Sequence, residues 1–154
     1  MSLPTEASGI VAGIDFGTVR IGVAISDPRR MIAFPFVTYT RKNESRDTEF
    51  FRTLVVDEQI TQFVVGLPLH ISGDLSDKAR EALAFGKWLG KLTGVPVDFY
   101  DERYTSVEAE DSLIEANVTR KKRKQKLDKV AAQIMLTSYL ESGCQGTAKF
   151  REHP

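Results

Sequence analysis

Acids at three places in the chain stand out by position rather than by type. Asp15 closes a short apolar run, IVAGI, at residues 10 to 14. Asp101 and Glu102 follow a second run, VPVDFY, at 95 to 100 and precede a helical pattern. Asp128 sits inside a helical pattern, between Leu127 and Ala131. A carboxylate ending a strand that is buried on both faces loses hydration, and an unpaired buried charge is costly. Asp15 therefore calls for a cation, a donor or a proton. Its plainer reading is a turn-capping Asp beside Gly17. Asp128 shares its helix face with Ala131, Ala132 and Met135. That face borders the apolar stripe, so a residue of poor helix propensity is aimed inward, and the two alanines allow close approach. Its plainer role is a surface ion pair with Lys124 or Lys129. Carboxylates that converge without histidine suit Mg2+ or Mn2+. Two such ions can activate water, hold a phosphate and stabilise the leaving oxygen of an in-line displacement.

Arg20 and Arg103 stand beside these acids, for charge balance or for phosphate contact. Formal net charge is zero, 21 basic residues against 21 acidic, so overall charge does not argue for nucleic acid. The charges are segregated, however. Residues 98 to 115 carry seven acids and one base, and residues 120 to 126, RKKRKQK, carry six bases and no acid. Such a run repels itself, and phosphates relieve the repulsion. Lys121, Lys122, Arg123 and Lys124 are therefore the expected nucleic-acid contacts, set against the plainer reading of a solvated loop. Trp88 and the phenylalanines fit core positions. Two histidines and one cysteine, Cys144, argue against a His/Cys zinc site and leave no internal disulfide.

The elements that must position these residues follow from periodicity. Residues 10 to 15 and 21 to 26 read as a hairpin around Phe16 to Arg20, with Gly17 expected at positive φ. Residues 31 to 40 read as a third strand, and Pro35 places it at a sheet edge. A helix is expected over 43 to 58, a fourth strand over 61 to 65, and a helix capped by Ser76 or Asp74, running to about Leu92 and stopped by Gly94. The inner stripe of that second helix would be Ala79, Leu83, Gly86, Leu89 and Leu92. A fifth strand follows over 95 to 100. Thr105 and Glu108 form a capping box for a helix ending near Asn117. A last helix runs from about Lys124 to Glu141, with Leu127, Val130, Ala131, Ile134 and Leu140 inward. Strand–helix–strand steps imply right-handed crossovers and parallel pairing. The expected architecture is α/β: a five-stranded mixed sheet, order 3-2-1-4-5, flanked by helices in the ribonuclease H-like layout. In open α/β sheets sites gather at the carboxyl ends of parallel strands, which puts Asp15 and Asp101-Glu102 on one rim.

The chain has 154 residues, 42% hydrophobic and 27% charged, ordinary for one soluble domain. Residues 1–8 read as a lead-in, 9–143 as the domain and 144–154 as a tail. No apolar run approaches membrane-spanning length and the N-terminus lacks a signal-peptide pattern, so a cytoplasmic location is expected.

The opening turn also resembles the ATP-reading Asp-x-Gly-Thr turn of sugar kinases, actin and the large heat-shock chaperones. Those proteins need two such domains around the nucleotide. Four ordered blocks resemble a different group, the YqgF/RuvX family of the ribonuclease H-like superfamily. They are GIDFGTVRIGVAISD at 13 to 27, VVGLPL at 64 to 69, DERYTS at 101 to 106 and LDKVAAQIMLTSYLES at 127 to 142. The resemblance implies a metal-dependent nuclease that processes the 5′ end of the 16S rRNA precursor. The alternative it carries is a Holliday junction resolvase acting on branched DNA. Carried over residue by residue, the catalytic and metal-holding acids are Asp15, Glu102 and Asp128, with Asp101 a further metal ligand in prospect. The family loop usually continues GLPL with Asn and soon an Asp; this chain has His70 and Ser72, and the role of that loop is open. The implied partner is nucleic acid, with a homodimer left open. A non-catalytic RNA-binding protein is the competing class; it would keep the basic run and have no use for converging acids.

Overall fold

The computed structural model describes residues 8–105 and 120–146, with the side chains of 120–127 outside that description. The elements are β1 (Ile10–Asp15), β2 (Arg20–Ser26), β3 (Ala33–Thr40), α1 (Glu44–Asp57), β4 (Ile60–Leu67), α2 (Asp77–Thr93), β5 (Val97–Asp101), a single 3₁₀ turn (Glu102–Tyr104) and α3 (Arg120–Glu141). The sheet order is β3-β2-β1-β4-β5. β1 pairs antiparallel with β2 and parallel with β4, and β4 pairs parallel with β5. This is the expected order, with the proline strand at an edge. The ladder steps from Val23↔Val37 to Ala24↔Pro35, so Phe36 is left over as a bulge beside the residue that cannot donate.

Successive side chains of a strand face opposite sides, and this divides the core in two. Ala12 and Ile14 join the cluster under α1 and α2 with Phe51, Leu54, Phe85 and Leu89. Val11 joins the cluster under α3 with Val64, Tyr100, Ala132, Met135 and Tyr139. By the same alternation Asp15, two residues beyond Gly13, takes the α3 side, and so does Gly66, two beyond Val64.

Local signals set most helix ends. The Asn43 side chain accepts from the Arg46 N–H at 2.9 Å to start α1. Ser76 accepts from Ala79 N–H at 3.0 Å to start α2, and its hydroxyl donates to the Pro68 carbonyl at 2.7 Å, closing the β4–α2 loop. Gly94 ends α2 in the left-handed conformation.

Four expectations differ from the structure. Gly17 is not among the residues at positive φ. Its value is space: a Cβ there would lie 2.4 Å from the Arg20 carbonyl oxygen across the turn. β4 continues through Gly66 and Leu67 because both pair with β5, against Tyr100 and Asp101. The buried stripe of α2 is Ala79, Ala82, Phe85, Gly86 and Leu89, rotated from the expected one. The rotation buries the Phe85 ring against Phe16, Phe51 and Trp88, a larger apolar surface than Leu83 offers. Finally, α3 begins at Arg120, so the basic run forms its first two turns rather than a loop. The helix expected from Thr105 to Asn117, Glu108 included, lies outside the described residues.

Candidate active site

The site forms where α3 crosses the carboxyl ends of β1, β4 and β5. Asp15 pairs with Gly22 across the hairpin. A Cβ at Gly22 would sit 2.0 Å from the backbone carbonyl oxygen of Asp128, so only glycine lets α3 rest on β2 at this level. That approach brings Asp128 to the hairpin. Its Oδ2 accepts from Arg20 Nε at 2.8 Å, with both side chains about a third exposed. Among the described side chains its ion-pair partner is thus Arg20 from β2 and not Lys129; the side chain of Lys124, the other expected partner, lies outside the described residues.

At the end of β5 the two neighbouring acids take different roles. Asp101 is fully buried, and the Arg103 Nε donates to its two oxygens at 3.0 and 2.9 Å while the Arg103 backbone N–H donates at 2.9 Å. Arg103 Nη1 donates onward to the Ile71 carbonyl at 3.0 Å, tying the β4–α2 loop to β5. Glu102 turns back over β4. A Cβ at Gly66 would lie 2.4 Å from Glu102 Oε1, so this glycine makes the seat for the carboxylate. Burial, and then the charge of Asp101, push the Glu102 carboxyl above its ordinary value.

Asp15 and Glu102 share a cavity of about 190 Å³ whose described walls also include Thr105, Ala131, Ile134 and Met135. The Asp15 carboxyl is raised from 3.8 to about 7, first by burial, then by the charges of Glu102 and Asp128; Lys78, on the first turn of α2, opposes the rise. No hydrogen-bond donor to its carboxylate is found among the described residues. Asp47 shows the contrast. Burial would raise it too, yet bonds from the Tyr39 hydroxyl at 2.6 Å, the Lys42 N–H at 3.1 Å and Arg41 Nε at 3.1 Å hold it below its ordinary value. A caged acid of that kind is structural, whereas Asp15 is desolvated and, among the described residues, offset only by the charge of Lys78.

The expected acids therefore divide as follows. Asp15 and Glu102 meet at the cavity, Asp128 lies near enough to raise Asp15, and Asp101 is held by Arg103. Lys121, Lys122, Arg123 and Lys124 fall in the first turns of α3, with side chains outside the described residues. Among the described residues no three His, Cys, Asp or Glu side chains are gathered into a cluster that could hold a metal ion. The donors present, carboxylate oxygens with a buried hydroxyl beside them, are of the type that hard divalent cations take. Sequence reading passed over Lys78, which looks like any surface lysine, and Gly22 and Gly66, whose demand for space depends on distant residues. It read Thr105 only as a helix cap.

Residues 9–142 match the RuvX family, described as a Holliday junction resolvase. A protein of Rhodopirellula baltica named "Putative pre-16S rRNA nuclease" is 44% identical over 136 residues, covering 88% of this chain and 79% of its own. A relative of the same name from Koribacter versatilis is 40% identical over 141 residues, covering 92% of each. Among solved structures, Thermus thermophilus RuvC in complex with a Holliday junction superposes with a TM-score of 0.57 at 18% identity, over 89% of this chain and 98% of that one. The fowlpox virus resolvase with Holliday junction DNA gives a TM-score of 0.54 at 13% identity, over 88% and 99%. These two share the fold. With the family matched over nearly its whole length, and relatives at or above 40% identity, the chain belongs to the RuvX family.

Proposed function

We propose that this chain is a metal-dependent nuclease that hydrolyses phosphodiesters of RNA, its substrate the 5′ end of the 16S rRNA precursor. The observation that carries the reading is Asp15, a half-buried carboxyl that shares a cavity with Glu102 and is pushed up to about 7 by desolvation and by the charges of Glu102 and Asp128. Such crowding of negative charge is unfavourable in the bare protein and becomes favourable when a cation enters. The oxygen-only donors Asp15, Glu102 and Asp128 suit Mg2+ or Mn2+, with Asp101 behind them. Bound there, such ions would supply an activated water and stabilise the leaving oxygen. Asp15 and Glu102 hold their positions through β1 and the seat at Gly66. Asp128 joins them by turning from Arg20, which frees that guanidinium to meet a phosphate. Lys121, Lys122, Arg123 and Lys124 bind flanking phosphates at the start of α3, while Arg103 braces the rim through Asp101 and Ile71.

The names of the relatives favour an RNA substrate, and the family's description favours branched DNA. The deciding experiment is cleavage with Mn2+ of labelled precursor RNA and of a four-way DNA junction, by this protein and by Asp15→Asn. Cutting of the RNA at defined 5′ positions, lost in the variant, supports the proposal. Cutting of the junction alone makes the protein a resolvase. Salt-dependent RNA binding with no cutting of either makes it a non-catalytic RNA-binding protein. No helix among the described residues is long and apolar enough to cross a membrane. The compartment that goes with this substrate is the cytoplasm. A second copy is the remaining partner; the exposed Met31, Ile32, Phe34 and Phe36 along the β3 edge are open to it.

A further inference from the structure

We propose that the hydroxyl of Thr105 positions the attacking water in this site. The inference rests on the nuclease reading above and assigns Thr105 as a positioning residue. Its backbone N–H donates to the Glu102 carbonyl at 3.0 Å, which folds the residue back over Glu102 and onto the cavity shared with Asp15. Its Oγ1 is buried and, among the described residues, is the one buried side-chain polar atom with no hydrogen-bond partner. A buried hydroxyl without a partner costs stability, and valine would fill the same space without that cost. The cavity supplies what the hydroxyl lacks. A bound water needs two to four polar partners, and Asp15, Glu102 and Thr105 offer three around a space of about 190 Å³. Ionised carboxylates only accept, so at a pH where they are charged the water gives one hydrogen to a carboxylate oxygen and the other to Oγ1, leaving a lone pair for the phosphate. The apolar walls from Ala131, Ile134 and Met135 offer no competing side-chain partner.

The test uses Thr105→Val and Thr105→Ser in the full chain, with Asp15→Asn as the control. Without metal, Thr105→Val should melt at or above the temperature of the parent, because among the described residues the hydroxyl bonds no protein group that the variant would lose. With Mn2+ at saturation, its single-turnover rate on precursor RNA should fall about ten- to a hundredfold, the usual cost of losing an orienting partner, with RNA affinity unchanged. Thr105→Ser, which keeps the hydroxyl, should stay within about threefold of the parent on the same reasoning. Thr105→Val cutting at the parental rate while Asp15→Asn is inactive overturns this inference and leaves the nuclease reading standing. So does Thr105→Val melting well below the parent, since the hydroxyl is then a structural bond. Parent and Asp15→Asn that cut equally, or not at all, overturn both.

Discussion

At the scale of single residues, three acids withdrawn from water share one fold and differ only in what reaches them. Asp47 and Asp101 are enclosed by donors, and Asp15 meets none among the described residues. Raising a carboxyl from 3.8 to about 7 has a direct consequence for stability. The protonated form favours the folded chain; that stabilisation is complete below the unfolded value and is lost as pH rises through about 7. In chelator, the folded protein should therefore lose roughly 2–3 kcal/mol at this site between pH 5 and pH 8. Asp15→Asn should be free of this loss, so its advantage over the parent grows with pH. Denaturant titrations at the two pH values measure it. An advantage of equal size at both would show that Asp15 is compensated in the fold and is a structural turn residue.

At the scale of elements, the site depends on how closely α3 lies on the β1–β2 hairpin. Gly22 fixes that distance, since an added Cβ would meet the Asp128 backbone oxygen at 2.0 Å. Backbone cannot step aside as a flexible side chain can. Gly22→Ala should cost about 1–3 kcal/mol through overpacking. It should also lower cleavage by more than that loss of stability accounts for, because the displaced helix carries Asp128 away from Asp15. Thermal melting and single-turnover rates measured on the same preparation separate the two effects; a wild-type rate in the folded variant would refute this account. The start of α3 raises a second point. Its first turn holds no acid, and the basic run lies where the helix dipole is positive. Phosphates would relieve both charges at once. Replacing Lys121, Lys122, Arg123 and Lys124 with Ala should lower the log–log salt slope of single-stranded RNA binding by about 0.7 for each phosphate no longer neutralised. An unchanged slope would reduce the run to a solvated helix end.

At the scale of the whole molecule, only folding brings Asp15 of β1 to Glu102 of the turn after β5 and within charge range of Asp128 of α3. A cation held by all three, as proposed above, would stabilise the native state by mass action, by about 2.7 kcal/mol at a hundred times its dissociation constant. Mn2+ should raise the melting temperature of the parent and fail to do so for Asp15→Asn or Glu102→Gln. Equal shifts in all three proteins would place the metal elsewhere.

Much of this arrangement was legible in the sequence because its causes are local. Strand alternation, the cap at the start of α2 and the proline at the β3 edge each act within a few residues, and the succession of a hairpin and strand–helix–strand crossovers gives the sheet order. Alternation also gives the side of the sheet that Asp15 faces. Tertiary structure decided what depends on residues far apart in the chain. It turned α2 to bury Phe85 rather than Leu83, and it gave Asp128 to Arg20, 108 residues away. It set Asp101 against Arg103, leaving Glu102 on the cavity, a division that two adjacent acids cannot announce. It also left the Thr105 hydroxyl without a partner among the described residues, beside two carboxylates, because a polar atom's satisfaction is settled by everything packed around it.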